Sequence, residues 1–138
     1  INTYHKVWYV NPRIEMNVYF ASAGGLAANV CLIHTFLGGR AIAEPLLNAP
    51  GLHPVPKLTT YYCWHIVTIT LAVIAGMFGY AALFNGGTDL GWVATILTFG
   101  YCVLGLAVPV FKNQAFKDMP QGWLFLPIVI LGVLGGSL

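Results

Sequence analysis

The chain has 138 residues, of which 58% are hydrophobic and only 7% are charged, and its net charge is +2. About a quarter of the residues in a typical water-soluble domain are charged, so this chain has too few charges to cover a water-facing surface. We therefore expect an integral membrane protein that contacts the lipid bilayer. Six basic residues without a clustered stripe also exclude a nucleic-acid-binding surface.

The hydropathy pattern predicts a single all-α membrane domain, with an N-terminal interfacial segment followed by four transmembrane helices. Residues 1–17 mix aromatic, apolar and basic side chains, so we expect them to lie flat on the membrane surface with Trp8 at the headgroup level. The helices are expected at about residues 18–39, 59–84, 90–111 and 121–138, where apolar stretches approach or exceed the length of a span. Four prolines predict an irregular surface loop over residues 40–58.

Two histidines lie in apolar surroundings, His34 near the end of the first predicted helix and His65 near the start of the second. Both imidazoles are therefore expected one to two helical turns beneath the same membrane surface. Ionisable side chains at such a depth usually face the protein interior or a cavity. His34 and His65 are the residues that we expect to bind a metal or a metal-containing cofactor.

The chemistry of imidazole leaves several uses for this pair open. A neutral imidazole can bind the central metal of a tetrapyrrole while its other nitrogen donates a hydrogen bond. Both histidines could hold one heme b, or each could bind a separate magnesium tetrapyrrole. The structural alternative is that they bond to each other, to Thr35, to Thr68 or to a backbone carbonyl, and only tie the two helices together.

Catalytic motifs do not explain the sequence. It contains no hydrolase nucleophile elbow, no phosphate-binding glycine loop and no zinc-protease motif, and none of its four acidic residues falls inside a predicted helix core. We therefore expect a protein that is not an enzyme. Glu44 is expected to pair with Arg40 in the loop, or to accept a hydrogen bond from His34.

Residues 6–12, Lys-Val-Trp-Tyr-Val-Asn-Pro, precede an apolar helix that contains His34. This arrangement resembles the start of the alpha polypeptides of purple-bacterial light-harvesting antennae. Those polypeptides have a Lys-Ile-Trp-x-x-x-Asp/Asn-Pro surface segment and one membrane helix whose histidine binds bacteriochlorophyll. The resemblance implies that His34 binds bacteriochlorophyll and that Trp8 is an interfacial or pigment contact.

The rest of the chain resembles small uncharacterised bacterial membrane proteins with four helices. The shared patterns are Ile-His-x-Phe-x-Gly-Gly, Pro-Leu-Leu and Trp-His-x-Val-Thr, found here at residues 33–39, 45–47 and 64–68. Together the resemblances imply a non-enzymatic accessory subunit of a photosynthetic antenna or reaction-centre complex in a bacterial inner membrane. The alternatives are a heme-binding electron-transfer or membrane-oxidoreductase subunit that uses His34 and His65, and a pigment-free scaffold protein.

Overall fold

The structure, a computed structural model, describes residues 15–138, which form helices and turns without a strand in that range. There are four successive helices in this part of the chain: α1 (Val18–Asn48), α2 (Pro54–Leu83), α3 (Thr88–Phe111) and α4 (Gln121–Ser137). By length and composition α1, α2 and α3 can each cross a membrane, whereas α4 is a shorter apolar helix. The predicted all-helical architecture is confirmed. Trp8 and most of the predicted interfacial segment lie outside the described residues.

Helix α1 changes its repeat along its length. Asn17 caps its start, where the side-chain oxygen accepts hydrogen bonds from the backbone N–H groups of Tyr19 and Phe20 at 3.1 Å each. The helix is α-helical over Val18–Leu32, π-helical over Ile33–Ala43 and α-helical again over Glu44–Asn48. A π segment is wider than an α-helix, and such segments are often found at functional sites.

The predicted loop over residues 40–58 is wrong, because helix occupies most of it. The irregular part is limited to residues 49–53, so the first helix ends nine residues later and the second begins five residues earlier than expected. Pro45 lies at the start of the segment Glu44–Asn48, and Pro54 opens α2, which His53 caps by accepting from the N–H of Val55. Proline costs little in the first turn of a helix such as α2, where its missing N–H has no helical partner. Pro45, by contrast, lies inside the continuous helix α1, two residues after its π-helical segment ends.

The four helices pack as a ring in which each helix contacts the two next to it in sequence, with α4 returning to α1. Phe20, Leu71, Ile74 and Phe78 are almost fully buried and form the core at the end of the bundle where α1 begins. Glycines let the helices approach closely. A Cβ atom on Gly24 would lie 3.3 Å from the backbone nitrogen of Gly79 in α2.

The connections between later helices also depend on glycine. Helix α2 ends before a tight turn in which Gly86 has a φ of 92°, a conformation that glycine adopts without steric cost. Gly105 of α3 and Gly122 of α4 face each other so closely that a Cβ on Gly105 would lie 2.7 Å from the Cα of Gly122. The α3–α4 pair is therefore joined backbone to backbone near the start of α4.

Candidate functional site

A cavity of about 520 Å³ lies between all four helices, at the end of the bundle where α2 and α4 begin. Its walls are mainly apolar, with Ile33, Leu71, Val108 and Phe125 among the residues that line it. The few polar side chains on these walls are those of His34, Thr60, Cys63, Tyr101 and Gln121. An apolar cavity with a few polar groups is the usual form of a site for a hydrophobic ligand.

His34 is half-buried in the wall of this larger cavity. Its Nε2 atom lies 3.3 Å from the backbone oxygen of Trp64, and its ring stacks on the Trp64 indole with centroids 3.9 Å apart and an interplanar angle of 17°. A carbonyl oxygen can only accept a hydrogen bond, so Nε2 carries the proton in this contact. The Nδ1 atom then has a free lone pair, which is the requirement for binding a metal.

Trp64 forms a wall shared by two cavities, because its side chain lines the larger cavity and a second, smaller one. The indole also fits tightly against α1. A Cβ atom added to Gly38 would lie 2.8 Å from the Cη2 atom of Trp64, whereas one added to Gly39 would have no neighbour within 4 Å. The glycine at position 38 is therefore what permits the indole to reach the imidazole of His34.

His65 lies in a different place from His34. It is exposed and lines the smaller cavity, a groove of about 260 Å³ between α1 and α2 that Glu44 also borders. Its ring packs edge to face on Tyr61 with centroids 4.6 Å apart. The two predicted site histidines thus lie at the same end of the bundle, but they line separate cavities.

The hydroxyl groups named as possible histidine partners are used elsewhere. Thr35 donates to the backbone oxygen of Cys31 at 2.8 Å, and Thr68 donates to that of Trp64 at 3.1 Å. Among the alternatives for His34, a backbone carbonyl is therefore the partner observed. Within residues 15–138, no group of three or more histidine, cysteine, aspartate or glutamate side chains is arranged to hold a metal ion.

Gln121 is a site residue that the sequence analysis missed. Its Oε1 atom is buried and has no hydrogen-bond partner among the described residues, although the side chain lines the larger cavity. Buried polar atoms are nearly always paired, so an orphaned one beside a cavity suggests a missing partner. The only signal in the sequence was one polar residue at the start of the most apolar helix. Polar residues are just as common at helix starts that face solvent, so this signal does not indicate a site.

Comparison with known proteins finds no matching family model, no matching curated protein and no matching solved structure. The likeness to antenna polypeptides therefore depends only on the residues that suggested it. The function has to be argued from the two cavities and the side chains that line them.

Proposed function

We propose that the chain is a non-enzymatic accessory subunit of a larger bacterial membrane complex, and that it holds bacteriochlorophyll in the larger cavity through His34. The observation that carries this proposal is an apolar cavity of about 520 Å³ whose wall contains an imidazole with one nitrogen already hydrogen-bonded to a carbonyl. Cavities of roughly 300–1,000 Å³ are typical for small-molecule and cofactor sites. Metal-binding histidines usually donate their second N–H in this way.

We propose that three residues around the cavity hold the tetrapyrrole. His34 would bind the central magnesium, and the stacked Trp64 indole would hold the imidazole in its orientation. Gln121 offers an unpaired amide, which can turn its oxygen or its nitrogen toward a substituent of the ring. Bacteriochlorophyll would supply light absorption, while the protein would bind and orient it.

The membrane setting of the proposal includes the fourth helix. Helix α4 has 17 residues and is about 26 Å long, slightly less than the roughly 30 Å of a bilayer core. It packs along both α1 and α3, which we propose carries it across the same bilayer as a fourth span. Large apolar side chains such as Ile69, Ile96 and Ile130 are exposed on the outside of the bundle, as a lipid-facing surface requires.

One polar side chain on the outer surface supports attachment to other membrane subunits. Asn29 lies in the last turn of the α-helical part of α1, ahead of the π-helical segment, and is exposed. Inside hydrocarbon, an amide generally hydrogen-bonds to a neighbouring helix, because leaving it unpaired is costly. We propose that the partner complex covers this part of α1.

The second reading of the histidines, a heme b held by both, has less support. A shared heme needs both imidazoles to reach one iron, whereas His34 and His65 line different cavities. The third reading, a pigment-free scaffold, uses the bond from His34 to Trp64 only to tie α1 to α2. These two readings provide the competing outcomes of the test.

The test is the absorption spectrum of the protein purified from a bacterium that makes both bacteriochlorophyll and heme. Near-infrared bands that are lost in His34→Leu and kept in His65→Leu would support the proposal. A Soret band with a reducible alpha band that either substitution removes would support the heme reading instead. An empty spectrum from a folded protein would overturn both cofactor readings.

A further inference from the structure

The groove between α1 and α2 carries a set of polar groups that the proposed tetrapyrrole does not use. Glu44 and Asn48 line it from the last turns of α1, while Tyr61 and His65 line it from α2. All four border one space of about 260 Å³, separated from the larger cavity by the Trp64 indole. Their chemistry can therefore act together on one small group.

The charge in this groove is negative. Glu44 contributes the only carboxylate among the groove-lining residues, and neither Arg40 nor Lys57 lines the space. Lys57 is directed elsewhere, because its Nζ donates to the backbone oxygen of Ala49 at 2.7 Å. The ion pair expected between Glu44 and Arg40 is not formed among the described residues. A carboxylate in a partly enclosed groove that neither lysine nor arginine lines attracts a cation and repels phosphate or carboxylate ligands.

The uncharged groups favour an organic ammonium ion over a metal ion. The rings of Tyr61 and Trp64 both border the groove, and aromatic rings attract ammonium groups that reach their faces. A primary ammonium has three N–H donors, and the groove offers acceptors on Glu44, on the Asn48 amide and on a neutral His65 imidazole. The described residues supply too few histidine and carboxylate ligands in one place to hold a metal ion.

The surroundings of the groove fit a membrane amphiphile. Thr35, Glu44 and His65 are exposed, so the groove opens on the outer surface of the bundle. Exposed apolar side chains flank it on both helices, with Phe36 at 65% and Ile69 at 65% exposure. A headgroup in the groove would thus have apolar surface beside it on which acyl chains can lie.

We propose that this α1–α2 groove binds a primary ammonium group through Glu44, with the headgroup of an aminophospholipid as one source and a free primary amine as the other. The site is separate from the tetrapyrrole cavity, so the proposal stands or falls independently of the pigment. Glu44 supplies the charge, while Tyr61 and Trp64 supply the aromatic faces. In this proposal His65 accepts a hydrogen bond from the ammonium group and does not bind a metal.

The experiment compares lipids retained by the full chain in native mass spectrometry at pH 8, after purification in detergent with equal amounts of phosphatidylethanolamine and phosphatidylglycerol. We expect the wild-type chain to retain phosphatidylethanolamine in preference, and Glu44→Gln to lose this preference about tenfold, the factor that corresponds to 1.4 kcal/mol. Glu15→Gln is the matched control, because Glu15 is an exposed carboxylate at the other end of α1 and should leave the preference unchanged.

A second arm separates the two sources of the ammonium group. If millimolar ethanolamine displaces phosphatidylethanolamine from the wild-type chain but leaves in place the lipid that Glu44→Gln still retains, the groove takes the free amine as well as the headgroup. Equal retention of both lipids by the wild-type chain, or an unchanged preference in Glu44→Gln, would overturn the proposal. Circular dichroism of each variant confirms that it is folded.

Discussion

Replacing Gly38 with alanine should disturb the candidate site, while replacing its neighbour Gly39 should not. The two glycines are adjacent in the π-helical segment and neither has a positive φ, so alanine is sterically allowed by the backbone at both positions. They differ in their surroundings. A methyl group on Gly38 would lie 2.8 Å from Cη2 and 3.0 Å from Cζ2 of Trp64, whereas one on Gly39 would meet no atom within 4 Å.

The size of the effect follows from these contacts. Carbon atoms pack at about 3.5–4.0 Å, so the indole of Trp64 would have to move by roughly 1 Å. That movement weakens the stack of the indole on His34, and stacked aromatic pairs contribute about 0.5–1.5 kcal/mol to stability. It also strains the hydrogen bond from His34 to the backbone oxygen of Trp64, which is worth a similar amount. Alanine adds the same helix-propensity gain at both positions. We expect Gly38→Ala to be less stable than Gly39→Ala by about 1–2 kcal/mol.

The assay is unfolding in mixed detergent micelles, followed by far-ultraviolet circular dichroism, with near-ultraviolet circular dichroism to report the stacked indole. Gly38→Ala should unfold at a lower denaturant fraction and show a reduced near-ultraviolet signal, whereas Gly39→Ala should match or exceed the wild-type protein. If the two variants have the same free energy of unfolding, the reasoning is refuted, because it depends on the tight contact that only position 38 makes with Trp64.

Three further predictions concern packing and exposure. Gly105→Ala should destabilise the bundle by about 1–3 kcal/mol, because its methyl group would clash with α4. Gly100→Ala, on the same helix with open space around it, should not destabilise the bundle, and the same unfolding assay compares the two variants. Phe20→Ala should cost about 3–5 kcal/mol in that assay because its side chain is 1% exposed, and a loss below 1 kcal/mol would show that this end of the bundle is not closely packed. A maleimide should label the exposed Cys63 well before the buried Cys102, as mass spectrometry of singly labelled protein would show, and the reverse order would contradict the helix orientations.

The sequence predicted the number of helices because long apolar stretches are a strong signal. Of the eight predicted helix bounds, the five near residues 18, 84, 111, 121 and 138 agree with the structure to within a residue. The loop predicted over residues 40–58 is wrong because its prolines do not all mark irregular structure. Pro54 instead occupies the first turn of α2, where the missing N–H is harmless, and Pro45 lies within α1 just after its π-helical segment. A single sequence does not distinguish these positions from a loop.

The candidate site was predictable only in part. An imidazole in an apolar stretch pointed to His34 and His65, and both lie at the predicted end of the bundle. Their separation into two cavities was not predictable, and neither was the π-helical repeat of Ile33–Ala43, in which His34 lies. A change from i→i+4 to i→i+5 bonding rotates the following side chains relative to α2, and hydrophobic periodicity over one helical turn carries too little information to reveal it.

The position of the larger cavity follows from how the helices pair. At the end where α1 begins, Phe20 fills the space between helices, and glycines at 91 and 135 leave room for its ring. At the other end, Gly105 and Gly122 hold α3 against α4, while the stack of His34 on Trp64 holds α1 against α2. The helices are thus tightly packed within the α1–α2 pair and within the α3–α4 pair, and the larger cavity lies between the two pairs. A ligand there would contact both pairs at once, so its binding should stabilise the end of the bundle that the protein's own side chains leave least filled.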